Sequence, residues 1–373
     1  MKIFFDGSIF GQQKIGGISR LGFELIKELG KYKDIEQVFY RGFYIDNYPF
    51  KRQWFSKYYG LKRPDFLKSR ILNFLDNVSV NYFYNSNADK NVIYHSLYYR
   101  VPKKPKGPLV VHAYDMIQEL FDKGDNEKTI KFKKNAFDAA DLIIAISQST
   151  KQDLCKLYSI DPTKIVVAYP GVSGTFFNGG SLIKQGKPSF AKASAGEEKP
   201  YMLYVGARDY TYKNFDLLLN TFIDEKYFLQ FDLVVFGGEK ELTLAQKEIV
   251  KKYNGGNWLK QESGSDETLA NMYANASVFI YPSLYEGFGI PPLEAMACGC
   301  PVVASNASSL PEVIGDAGLL FNPTDSNDLA EKIEKILHDK ILAADLIQKG
   351  KIRARQFTWE NMVQKIYQSY LTL

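Results

Sequence analysis

At 373 residues the chain exceeds the size at which one hydrophobic core usually keeps growing, so its length predicts two domains. Its 45% apolar and 24% charged residues are those of a globular protein, and a net charge of +5 is too small to predict a nucleic-acid partner. Three cysteines, Cys155, Cys298 and Cys300, form no disulfide framework and share no metal spacing with the three scattered histidines. A strand-like KIFFD begins at residue 2, which leaves no room for a signal peptide. No apolar run approaches the roughly 18 residues that span a bilayer, so a reducing, cytoplasmic setting is expected.

After KIFFD comes the loop GSIFGQQKIGG and then GGISRLGFELIKELG, in which Ile18, Leu21, Leu25 and Leu29 share one helical face. Gly16 and Gly17 open that helix. Their N–H groups, bare of side chains, suit a phosphate or sugar at the positive helix end, or they form a plain helix-start turn. Residues 51–75, KRQWFSKYYGLKRPDFLKSRILNFL, gather seven Lys or Arg against one Asp among aromatics. Such a stretch is either a solvated face or a surface that meets an anionic membrane or acceptor. His95, in VIYHSLYYRVP, is read as beginning a cleft-side loop with Tyr98 close behind. It is either an acceptor contact or a loop histidine satisfied within the protein. PLVVHAYDMI, carrying His112, Tyr114 and Asp115, and DLIIAIS read as buried strands, and KIVVAYPG closes the first half.

Residues 181–200, SLIKQGKPSFAKASAGEEKP, are too poor in large apolar residues to order themselves and read as an exposed linker or insertion. Strands then restart with YMLYVGAR, FDLVVFGG, ASVFIYPS, CPVVASN and GLLFNP, separated by helical or polar sequence. Two series of alternating strands and helices predict an α/β protein with two doubly wound parallel-sheet domains. The tail FTWENMVQKIYQSYL has apolar residues at helical spacing and predicts a closing helix.

In open parallel sheets ligands bind beyond the carboxyl ends of the strands. ARDYTYKN places Arg208 and Lys213 there after YMLYVG, a planar fork and a point charge that suit a diphosphate, although a solvated pair is the commoner fate. In SGSDETLANMYANA, Ser265 or Asp266 caps a helix whose start lies well for a base or ribose. EGFGIPPLE follows ASVFIYPS and holds two carboxylates eight positions apart. Gly287 and Gly289 let backbone approach a ligand, and Pro291 and Pro292 start a helix whose free N–H groups favour an anion. Glu294, read in the first helical turn, is placed to accept hydrogen bonds from a vicinal diol such as a ribose. Glu286 lies nearer whatever hangs from the distal phosphate. Together they describe a site for a nucleoside diphosphate joined to a polyol.

YPSLYEGFGIPPLEAMACGCPVVASNASSLPEV resembles the signature region of family 4 retaining glycosyltransferases, with its Glu, seven residues, Glu motif. VVHAYDMIQELF, ADLIIAISQSTKQDL, KIVVAYPGVS, YVGARDYTYKN, GSDETLANMYANA and AGLLFNPTD resemble further segments of that family in the same order. The resemblance implies a GT-B fold of two Rossmann-like domains facing across a cleft, an acceptor-side domain over 1–180 and a donor domain over 201–355. It also implies that a helix over 356–373 packs back on the first domain. Glu294 is then the ribose ligand, Glu286 the acid near the donor sugar and its phosphate, and Arg208 and Lys213 the diphosphate pair. Gly16 and Gly17 match the N-terminal glycine loop, and Phe288, Ile290, Ser265 and Leu269 fall on the donor side. The family often has His then Asp where this chain has Tyr114 and Asp115. These two join the implied catalytic set, while His112 reads as a strand residue.

No Asp-x-Asp occurs, which removes the usual acid pair of metal-dependent transferases. With Arg208, Lys213 and a helix N-terminus to answer the charge on a leaving diphosphate, no metal and no other cofactor is expected. The implied reaction is retaining transfer of a hexose, mannose being one candidate, from a nucleoside-diphosphate sugar to a glycan or lipid-linked acceptor of a bacterial surface polysaccharide. Two other classes would share the donor loops. A GT-B-type sugar-nucleotide epimerase needs its own acid and base set, and a non-catalytic sugar-nucleotide-binding protein needs no acceptor cleft.

Overall fold

A computed structural model describes the chain except for residues 15, 65–68, 122–125, 179–198 and 238–241. The linker expected over 181–200 therefore lies outside the described residues apart from its last two positions. Two compact units divide the chain, Met1–Pro170 with Trp359–Leu373, and Gly171–Thr358.

The first unit is built on seven strands, β1 (Lys2–Asp6), β2 (Glu36–Tyr44), β3 (Lys57–Lys62), β4 (Val92–Ser96), β5 (Leu109–Ala113), β6 (Leu142–Ala145) and β7 (Ile165–Val167). They lie in the order β3-β2-β1-β4-β5-β6-β7, with every pairing parallel. All residues of β4, β5 and β6 are buried, as expected of parallel strands covered on both faces. Leu21, Leu25 and Leu29 of helix Gly17–Leu29 enter the core, and Ile18 is half-buried. Helix Trp359–Tyr370 packs on that helix with Met362, Val363 and Ile366 buried, and Tyr367 donates to Asp34 at 2.6 Å.

The second unit carries β8 (Tyr201–Val205), β9 (Asp232–Phe236), β10 (Leu259–Glu262), β11 (Val278–Tyr281), β12 (Val302–Ser305) and β13 (Leu319–Phe321). Their order, β10-β9-β8-β11-β12-β13, is again all parallel and repeats the dinucleotide-binding order 3-2-1-4-5-6. Leu218, Phe222, Val235, Trp258, Ile280 and Ile333 are among its core. Two doubly wound α/β domains are thus present, as the sequence predicts. Residues 171–178, read with the first domain, go with the second unit. There Val172 N–H donates to Phe357 O at 3.1 Å, and Cys298 Sγ lies 3.3 Å from Phe176 O. Burial pushes the Cys298 thiol up to about 12, which suits a packed cysteine.

The basic stretch resolves into a turn at Arg52–Trp54, the edge strand β3 and the start of helix Ser69–Asn87, with 65–68 outside the described residues. No helix among the described residues is long and apolar enough to cross a membrane.

Candidate functional site

The loops after β8, β9 and β11 meet at the carboxyl edge of the second sheet. Beyond β8, Arg208 is 4% exposed and its Nη1 donates to the Gly237 carbonyl at the end of β9, 2.8 Å away. Gln246 Nε2 fixes the same loop by donating to Arg208 O at 3.3 Å and to Asp216 Oδ1 at 2.7 Å. Burial lowers the Arg208 pKa, so this guanidinium gains from any anion that approaches. Next comes Asn214, in a left-handed conformation with φ 55°, whose amide donates to Pro282 O at 3.1 Å and Pro323 O at 2.8 Å. Leu284 N–H donates to Tyr212 O at 2.7 Å, so the β8 and β11 loops are bound backbone to backbone.

That binding sets Lys213. Its Nζ lies 2.7 Å from Glu286 Oε1 and 3.5 Å from the Tyr281 hydroxyl, over the rings of Tyr212 and Tyr281. Burial raises the Tyr281 pKa and the neighbouring Glu286 charge raises it further, so the phenol stays protonated.

The turn carrying Glu286 is held from the loop after β12. Glu286 N–H donates to Ser308 Oγ at 2.8 Å, and Ser309 Oγ reaches the Glu286 and Phe288 carbonyls at 2.9 and 2.7 Å. Gly289 has φ 104°, a conformation that favours glycine, and a Cβ there would come within 2.7 Å of Leu310 Cδ2, so that side chain would have to shift. Helix Ile290–Ala297 starts at this point. Two details differ from the sequence reading. Glu294 is the fifth helical residue, past the first turn. Pro291 and Pro292 bring no N–H, so donors toward an anion come from the turn and Ile290 rather than from the prolines. Glu294 is 5% exposed with Oε2 3.5 Å from the Tyr273 hydroxyl, while Phe288 is buried with its ring 5.6 Å from Phe357.

Other expected residues are more loosely placed. Ser265 is exposed and caps helix Asp266–Asn275 by accepting from Thr268 N–H at 3.4 Å, and Leu269 is buried on that helix. Gly16 is the N-cap of the first helix with extended φ 179°, and a Cβ on Gly17 would meet nothing within 4 Å. Folding alone thus gives Gly17 no steric reason to be glycine.

In the first unit three expectations change. His95 does not begin a loop: it is the fourth residue of β4, fully buried, with Nδ1 bonded to the Tyr370 hydroxyl and its ring 4.7 Å from His112. It is closed to an acceptor. His112 lies in β5 as read from the sequence, and burial lowers its pKa to about 3. Tyr114 is 3% exposed and its hydroxyl donates to Leu97 O at 2.7 Å, so it faces the interior. Asp115 caps Ile117 N–H at 3.2 Å and sits 3.7 Å from the buried Lys133 ammonium, which also reaches Glu119 at 3.1 Å. Tyr98 is half-buried and lines a cavity at the carboxyl end of the first sheet. Sequence reading missed Gln246, Asn214, Ser308 and Ser309. Only the serines carried a signal, in SNASSLPEV directly after a strand.

Comparison with known proteins adds two family models. Glycosyl transferases group 1 matches residues 187–353, and Glycosyltransferase Family 4 matches residues 15–174. O-antigen chain mannosyltransferase B of Escherichia coli is 32% identical over 243 residues, 64% of this chain and 62% of its own. O-antigen chain mannosyltransferase RfbU of Salmonella typhimurium is 27% identical over 229 residues, 60% of this chain and 58% of its own. The chain therefore spans about three-fifths of the length of these two relatives. Among solved structures, sucrose-phosphate synthase from Thermosynechococcus elongatus aligns over 100% of this chain and 98% of that one, with TM-score 0.75 and 19% identity. Anabaena HepE in complex with UDP and glucose covers 100% and 99%, with TM-score 0.68 and 17% identity. At these identities the structural likeness speaks for the fold alone.

Proposed function

Since the chain belongs to the group 1, family 4 glycosyl transferases and has their GT-B fold, we propose that it transfers a hexose from a nucleoside-diphosphate sugar to a glycan or lipid-linked acceptor. Mannose is the sugar the reading favours, in bacterial surface polysaccharide synthesis, after the relatives named O-antigen mannosyltransferases. The observation that carries it is the Lys213–Glu286 pair beside the Gly289 turn, at the sheet edge where α/β domains bind ligands.

Departure of the diphosphate takes the bonding electron pair from the anomeric carbon, leaving positive charge on the sugar and negative charge on the phosphate. Lys213 and the buried Arg208 answer the negative charge, and no metal ion is required for it. Before donor binds, Glu286 occupies Lys213. A diphosphate that takes over the ammonium frees Glu286 for the hydroxyls of the transferred sugar. Glu294, on the helix behind the turn, accepts from the ribose diol. The acceptor hydroxyl oxygen then bonds the anomeric carbon on the face the phosphate leaves, and its proton passes to the departing phosphate oxygen, so configuration is retained. Phe288, Gly287 and Ile290 shape the turn against the nucleotide.

A membrane-bound acceptor fits a further feature. On helix Ser69–Asn87, Ile71, Phe74, Leu75, Val78 and Tyr82 fall on one stripe and are exposed, Phe74 by 68% and Tyr82 by 76%. With the basic residues of 51–63 preceding it in the chain, the stripe suits an anionic lipid surface on the cytoplasmic side. Incubation with a panel of nucleotide sugars, with and without acceptor and chelator, tests the whole reading. Acceptor-dependent transfer that survives chelator supports it. Sugar interconversion without acceptor would make the protein an epimerase, binding without turnover a sensor, and transfer that needs added magnesium would remove the metal-free mechanism.

A further inference from the structure

Ser309 stands at the N-cap of helix Leu310–Ile314, and Ser309, Leu310, Pro311 and Glu312 form the S-x-x-E pattern of a capping box. In such a box the serine hydroxyl accepts from an N–H in the first turn of its own helix. Ser309 does not make that bond. Its backbone is already helical, at φ −79° and ψ −12°, and its fully buried hydroxyl is turned to a segment 21 to 23 residues earlier in the chain. There Oγ lies 2.9 Å from Glu286 O and 2.7 Å from Phe288 O. One hydroxyl proton thus serves two carbonyls of the turn.

In a trans peptide each C=O faces opposite to the next residue's N–H, so holding these two carbonyls directs the Gly287 and Gly289 N–H groups away from Ser309. The orientation of the whole turn is thereby fixed. Ser308 adds a second point of attachment by accepting the Glu286 N–H at 2.8 Å. It does so at φ 48°, in the left-handed region that residues other than glycine seldom adopt. Asn214, next to Lys213 in the chain, is left-handed as well, with its amide on the Pro282 and Pro323 carbonyls. Backbone of this kind thus stands on both sides of the Lys213–Glu286 pair, and such strain collects at functional sites. Asn214 anchors the lysine side, and the two serines anchor the carboxylate side.

We propose that Ser309 is a positioning residue for the transfer, diverted from capping its own helix to fix the backbone that presents Glu286 to Lys213 and to the donor sugar. Ser308 assists it through the Glu286 N–H. The inference rests on the transferase reading for the reaction, and on the turn alone for the positioning. Transfer rates at saturating nucleotide sugar, and calorimetry with UDP and GDP, test it on the full chain. Ser309→Ala and Ser308→Gly should each slow transfer roughly tenfold while nucleotide affinity stays within about twofold, and Ser309→Thr, which keeps the hydroxyl, should restore most of the rate. Glycine suits the φ of Ser308, so that variant carries the test if Ser309→Ala fails to fold. Since the serine acts through the carboxylate, adding Ser309→Ala to Glu286→Gln should slow transfer no further. An unchanged rate, nucleotide affinity that falls together with the rate, or losses that multiply in the double variant overturns the proposal. Crystal structures of the unaltered protein and of both serine variants separate it from the wider reading. If the unaltered protein transfers no sugar, the transferase reading falls, and a Glu286 that leaves Lys213 in the variants still assigns the serines their hold on the turn. A turn that keeps its place in both variants removes the positioning role whatever the activity.

Discussion

The Lys213 ammonium lies 2.7 Å from the Glu286 carboxylate and joins two loops 73 residues apart in the chain. Each partner is mostly shielded, with side-chain exposures of 15% and 11%, so the pair is screened less than a surface ion pair. If a diphosphate displaces Glu286 from this ammonium, Lys213→Ala should weaken UDP or GDP binding roughly 10- to 100-fold, the worth of one or two charge-assisted bonds. Calorimetry reads the change. Unaltered affinity would mean that Lys213 only holds Glu286.

Glu294 has a different expected profile. As acceptor for a ribose diol it acts on the bare nucleotide as much as on the full donor, so Glu294→Ala should cost roughly 10- to 100-fold in nucleoside diphosphate affinity. A comparison with the ribose-modified 2′-deoxy nucleotide checks it. The deoxy compound should bind weakly to the unaltered protein and lose little more in the variant.

Burial keeps His95 and His112 uncharged, with the Tyr370 hydroxyl, the Tyr114 ring and the Phe5 ring around them. Both folded pKa values lie below the unfolded value of 6.5, so the unfolded chain binds more protons as pH falls below 6.5, for His112 down toward about 3. Stability is therefore fully present above 6.5 and is lost as pH falls. His112 should cost about 2 kcal/mol between pH 7 and pH 5, and His95 adds a loss of the same sign. Melting of His112→Phe at both values should show a smaller acid loss than the unaltered protein. Parallel losses would mean that His112 is charged within the fold.

The exposed stripe on helix Ser69–Asn87 predicts binding to vesicles that contain acidic lipid, weakened by salt. Phe74→Ser with Val78→Ser should reduce that binding while leaving nucleotide affinity unchanged. Equal binding to neutral vesicles, or none to either, returns the helix to a solvated face.

Much of this was legible in the chain because it is local. LVVHA and LIIA read as strands since parallel strands covered on both faces are continuous apolar runs. Gly289, Pro291 and Glu294 lie within six residues, so a turn, a helix start and a buried acid can be read together. His95 reads as the start of a loop in VIYHSLYYRVP, whereas it is the fourth residue of β4. What buries His95 is Tyr370, 275 residues away, which no local pattern announces. The Arg100–Asp6 pair is similarly remote, at 94 residues. Tyr114 was read from its place beside Asp115, whereas its hydroxyl is spent on Leu97 O.

Glu286 gives the most direct test of the donor site, because its expected role is confined to the reacting sugar. The transfer rate of Glu286→Gln at saturating nucleotide sugar should fall by at least roughly 100-fold, with nucleotide affinity nearly unchanged, as expected of a contact made in the transition state. Transfer at the unaltered rate would contradict the assignment and leave Glu286 as no more than the partner that holds Lys213 in place.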